Sequence, residues 1–109
     1  MPHSVEKLRI DIREAAKRVL EFVDGRTQEE FYLDTVAKYA VQMQFIIIGE
    51  AMARLKRSFP TEYSQIRNAD QIVAFRNIVA HGYDVIADNV VWDIIEVNLC
   101  DLIEDVQRG

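Results

Sequence analysis

Apolar residues return every three or four positions along almost the whole chain, and that period limits the fold more than any other feature. Val5, Leu8, Ile12, Ala15, Ala16, Val19, Phe22 and Val23 form one stripe, which predicts a helix from about Ser4 to Asp24. Gly25, in "DGRT", is its expected C-cap. Thr27 and Glu30 have the spacing of a capping box, and the helix they open is predicted to run unbroken to Phe59, where Pro60 stops it. A helix of that length spans roughly 45 Å at 1.5 Å per residue. A short helical turn is expected over Thr61 to Ile66. Asp70 is the expected cap of a third main helix, "QIVAFRNIVAHGY", and Asp88 that of the last. In this last helix Val91, Ile94, Ile95, Val97, Leu99, Leu102, Ile103 and Val106 are expected to face the core. No alternating pattern flanked by turn chemistry argues for a strand. The expectation is an all-α, up-down bundle of four main helices plus a short one, in a single domain over residues 1–109.

Composition narrows the function. Half of the residues are apolar and 28% are charged, as in a globular domain. The net charge of −5 argues against an extended nucleic-acid-coating surface, whose affinity would come from neutralising many phosphates. It leaves room for a small local site. One cysteine, Cys100, excludes an internal disulfide, and its neighbours Val97, Leu99 and Ile103 predict that it is buried. No apolar run approaches the ~20 residues of a membrane span. The opening "MPHSVEKLRI" is not a signal peptide, so a cytoplasmic location is expected.

The polar groups worth explaining sit in "FRNIVAHGY", residues 75–83. At about 100° per residue, Arg76 and His81 lie about 140° apart on a helix. Asn77 shares a face with His81, and Arg76 shares one with Tyr83. Two polar stripes thus flank an apolar seam, an arrangement suited to a helix that meets its own copy across a two-fold axis. Arg76 and His81 of both chains would then converge on one cleft, with Gly82 clearing space for a ligand near the backbone.

The chemistry of such a cleft is phosphodiester cleavage without a metal. His81 would take the proton of a ribose 2′-hydroxyl, Arg76 would stabilise charge on the phosphorus, and Asn77 would support one or the other. That route gives a 2′,3′-cyclic phosphate and needs RNA. No second histidine or carboxylate cluster at ligand spacing accompanies His81, so neither a metal nor another cofactor is expected. The plainer reading is that arginine and histidine are satisfied polar groups of a packed helix. His3 is read as incidental.

Glu50 interrupts the apolar run "FIIIGEAMARL", directly after Gly49. Either it faces solvent, or Gly49 permits close helix packing and Glu50 pairs with an arginine, Arg76 being the candidate. Arg54, Lys56, Arg57 and Arg67 form either a local basic group or a solvated flank.

Arg76, Asn77, His81 and Tyr83 match R-x4-H-x-Y, and "IIGEA" (Ile47 to Ala51) and Trp92 accompany them. In these residues the chain resembles the HEPN domains, and among them the HepT-like toxins, from "LRIDIREA" to the C-terminus. The resemblance implies a homodimeric, metal-independent endoribonuclease, the toxin of a toxin–antitoxin module, with transfer RNA as a reasonable substrate. It also implies a partner, an MntA-like nucleotidyltransferase antitoxin that moves AMP from ATP onto Tyr83. Gly82 stands where such relatives often carry aspartate. The rival is a non-catalytic HEPN module that binds substrate for, or caps, a nucleotidyltransferase.

Overall fold

The computed structural model describes residues 4–81 and 85–107, and side chains outside 77–88. The first helix, α1 (Val5–Val23), begins where the Ser4 hydroxyl accepts the Lys7 N–H at 3.0 Å. It ends at Asp24, followed by Gly25 in the left-handed region at φ 73°. The capping box then forms as its spacing predicts. Thr27 Oγ1 accepts from Glu30 N at 3.1 Å, while Thr27 N donates to Glu30 Oε1 at 2.8 Å.

The second predicted helix is not continuous. It divides into α2 (Gln28–Leu33) and α3 (Thr35–Ser58) at Asp34. Asp34 adopts an extended backbone and caps α3, accepting from Ala37 N at 3.0 Å. Its other oxygen takes Arg26 Nη1 at 2.6 Å, which ties both ends of α2 together. The side chain thus rewards a break that the apolar period alone does not reveal. Pro60 ends α3 as expected and becomes the first residue of α4 (Pro60–Ser64).

Asp70 is not the cap of α5 (Ala69–His81) but its second residue. The chain enters α5 through Asn68, at φ 58°, whose carbonyl accepts from Ile72 N at 3.0 Å. Asp70 instead accepts from Tyr63 Oη at 2.5 Å and from Lys56 Nζ at 3.2 Å. That pairing lowers the Asp70 pKa, and burial together with the carboxylate raises that of Tyr63.

The last helix also differs from expectation. It starts at Val85 rather than after Asp88, and a turn at the buried Asn98 divides it into α6 (Val85–Val97) and α7 (Leu99–Gln107). Past that turn the buried face is Leu99, Leu102 and Val106, and Val97 and Cys100 are exposed, not buried: at about 100° per residue both lie off the arc of Val91, Ile94, Ile95 and Leu102. Phe22 of α1 is exposed as well.

The architecture is all-α: four main helical segments, two of them each divided in two, plus the short α4, with no strand among the described residues. None of these helices is long and apolar enough to cross a membrane. The α3 helix is central, packing against α1 and α5, while α1 also packs on α7. Ile12, Val19, Val41, Phe45, Ile48, Met52, Leu55, Phe75 and Leu102 fill the core between them. Phe31 of α2 meets Trp92 of α6 at 5.6 Å between ring centres. Beside it, Gln28 and Tyr32 both donate to Asn89 Oδ1, so α2 straps the start of α6.

Candidate active site

The site is assembled where α5 crosses α3. Ile72 and Phe75 of α5 point into the core, and Phe75 packs edge-on against Phe45. The next residue, Arg76, is turned about 100° away and falls on Gly49. A Cβ at position 49 would stand 2.7 Å from Arg76 Cδ, 2.8 Å from its Cβ and 3.0 Å from its Cγ. The glycine is therefore a flat seat on which the arginine methylenes lie.

At the end of that seat, Arg76 Nη1 donates to Glu50 Oε1 at 2.6 Å. Both expectations for Glu50 meet in one arrangement: it forms the pair with Arg76, yet its side chain is 59% exposed against 28% for Arg76. A pair this open contributes at most about 1 kcal/mol to stability. Its effect is orientation, because a guanidinium carries five N–H donors and Glu50 engages one edge. The rest can face a phosphate.

Asn77 and His81 lie on the backbone of α5, His81 as its last residue. Their side chains, and Gly82 and Tyr83 altogether, fall outside the described residues. Of the expected constellation, the structure brings together Arg76, Gly49 and Glu50.

The four basic residues do not form one group. Lys56 is engaged by Asp70, and Arg67 by Asp101, Glu104 and Asp105, with Asp105 at 2.9 Å. Those carboxylates hold the α4–α5 turn against α7 and hold Arg67 in its charged form. Sequence reasoning missed a second feature, an apolar face of α3 that stands exposed among the described residues. Leu33 just before α3, and Val36, Tyr39 and Met43 within it, are 80%, 77%, 63% and 54% exposed. Its signal was present: apolar residues occupy two arcs of α3, one of them beyond the buried Ala37, Val41, Phe45 and Ile48.

The chain is thus an all-α domain in which an arginine is seated on a glycine of the neighbouring helix and paired with a carboxylate. The chain belongs to the Ribonuclease HepT-like family, within the HEPN superfamily, and the family pattern matches residues 12–108. It is similar to two proteins of Methanocaldococcus jannaschii. It shares 28% identity over 98 residues with Putative RNase MJ0127, covering 90% of this chain and 80% of that one. With Putative RNase MJ1380 it shares 29% over 97 residues, 89% of this chain and 88% of that one. No solved structure gives a significant match.

Proposed function

We propose that this protein is an endoribonuclease and the toxin of a toxin–antitoxin module, cutting RNA without a metal at a site shared by two copies of the chain. The observation that carries the reading is the seat of Arg76, fixed by Gly49 beneath it and Glu50 beside it. Membership of a ribonuclease family and two relatives named as RNases support it.

In the proposed reaction His81 takes the proton of a ribose 2′-hydroxyl, and the freed oxygen attacks the adjacent phosphorus. The bond to the 5′-oxygen breaks, and the partner's His81 returns a proton to that leaving oxygen. Arg76, with Asn77 in support, stabilises the negative charge gathered on the phosphoryl oxygens. The products are a 2′,3′-cyclic phosphate and a 5′-hydroxyl.

The exposed apolar face of α3 supports a second copy. Contiguous exposed apolar faces mark interaction surfaces, and this one runs along the helix that carries Gly49 and Glu50. A symmetric dimer covering it brings two Arg76 seats to one cleft. Control of the activity is assigned to Tyr83. An MntA-like nucleotidyltransferase moves AMP from ATP to its hydroxyl, releasing pyrophosphate, and the added bulk and negative charge exclude the RNA phosphate.

The test is to incubate RNA, transfer RNA included, with the wild-type protein and with His81→Ala in EDTA, and to analyse the product ends. Cyclic phosphates from the wild type alone are expected. Intact RNA in both lanes would favour a non-catalytic partner of a nucleotidyltransferase, and cleavage lost only on chelation would overturn the metal-free route.

A further inference from the structure

A groove between α1 and α3 ends at the carboxylate that holds Arg76. It encloses about 250 Å³, with Leu8, Ile46, Ile47 and Ala51 as an aliphatic floor and Glu50 and Arg54 on its rim. Asp11 also borders it, but Lys7 Nζ binds both of its oxygens, at 2.7 and 2.9 Å. Glu50 is likewise taken by Arg76. With these two pairs closed, Arg54 is the surplus charge of the groove: it is exposed, and no ion pair or hydrogen bond to it is found among the described residues. Arg54 follows Glu50 by one helical turn, so their Cβ atoms stand about 5–6 Å apart on one face. Two guanidiniums thus flank a single carboxylate, one seated and one reaching from the groove.

We propose that this groove is the subsite for the nucleotide next to the scissile linkage of a single-stranded RNA. Arg54 holds that nucleotide's phosphate, and the aliphatic floor receives the face of its base. The proposal rests on the ribonuclease reading of Arg76 and extends it to substrate class. Three observations select this ligand. A phosphate matches the surplus cation, and a flat, weakly polar base matches the floor. Lys56 and Arg67, the neighbouring cations, already serve carboxylates. A base can enter such a groove only when splayed from a stack, which restricts the substrate to loops and unpaired stretches. Because the floor is aliphatic and the polar lining residues Asp11 and Glu50 are engaged by Lys7 and Arg76, preference among the bases is weak.

The experiment measures equilibrium binding of a fluorescein-labelled single-stranded RNA over a salt series. It uses His81→Ala, so that cleavage does not intrude, and the same protein carrying Arg54→Ala, Arg54→Lys or Arg57→Ala. Melting curves establish that each variant is folded. Arg54→Ala is expected to weaken binding several-fold and to make the log–log salt dependence shallower by about 0.7, the value for one phosphate on a single strand. Arg54→Lys restores the slope, and Arg57→Ala changes neither quantity. Binding and slope unchanged in Arg54→Ala would overturn the subsite. Wild-type protein assayed alongside for cleavage separates the two ideas. A binding defect with no cleavage keeps the subsite and removes the nuclease, whereas cleavage with no binding defect does the reverse.

Discussion

The ring of Phe75 stands edge-on to that of Phe45, centroids 4.9 Å apart and planes at 85°, and this contact decides where Arg76 falls. Both rings are buried, so α5 cannot rotate against α3 without opening the core. The residue after Phe75 is carried onto Gly49 as a consequence. Packing and the candidate site therefore share one constraint.

Gly49→Ala tests that constraint. The new methyl meets Arg76 Cβ and Cδ, and Cβ belongs to the backbone-fixed part of the side chain. Overpacking costs about 1–3 kcal/mol, against which alanine returns about 1 kcal/mol of helix propensity. The difference, about 0–2 kcal/mol, should lower the melting temperature by up to about 10 °C, with cleavage reduced roughly a hundredfold because a 1 Å displacement of a positioning group costs that much. Full activity on RNA would show that the seat is not used.

Glu50→Gln separates orientation from stability. The pair is largely open to water, so thermal unfolding should move by less than about 1 kcal/mol equivalent. The amide oxygen still accepts from Arg76 but no longer holds it by charge. Cleavage under saturating RNA should fall about tenfold while KM falls or stays level, since a competing carboxylate is gone. A variant with unchanged kcat would remove Glu50 from the mechanism.

Asp34→Ala should loosen α2 without touching the site. The backbone N–H of Ala37 and then the Arg26 guanidinium hold the Asp34 carboxyl below its ordinary pKa. A carboxylate so favoured in the folded state stabilises it above the unfolded pKa, and that contribution disappears as the pH falls through the lowered folded value. At neutral pH the variant should melt below the wild type, and the two melting temperatures should converge in strong acid. Parallel curves at all pH values would mean that Asp34 contributes nothing through its charge.

Tyr39→Glu or Met43→Glu puts a charge on the exposed face of α3. Neither residue is in the buried core, so the monomer should keep its helical content and melt normally. Sedimentation should show a shift from dimer towards monomer, with a parallel loss of cleavage. A variant that remains dimeric would place the second copy on another surface.

Much of this molecule was legible in its residues where the chemistry is short-ranged. The Thr27–Glu30 box, the stop at Pro60 and the turn at Gly25 each depend on groups within four positions, and all formed as their spacing predicts. The pairing of Glu50 with Arg76 was one of two readings its place in the apolar run left open; the structure shows the pair, on Gly49, and also the exposure of Glu50 that the other reading expected.

What tertiary structure alone decided are choices between alternatives that the apolar period leaves equal. Helix α3 carries two apolar arcs, and only its docking against α1 and α5 determines which is buried and which remains open. At the break at Asp34, α2 is set so that Phe31 meets Trp92, a residue distant in sequence, and at Asn98 the break falls on a buried polar residue that the apolar period does not mark. Val97 and Cys100, by contrast, lie off the arc of Val91, Ile94, Ile95 and Leu102 at about 100° per residue, so their exposure was readable from the helical period itself. Local hydrogen bonds are written in neighbouring residues, but the direction in which an apolar surface faces depends on everything it packs against.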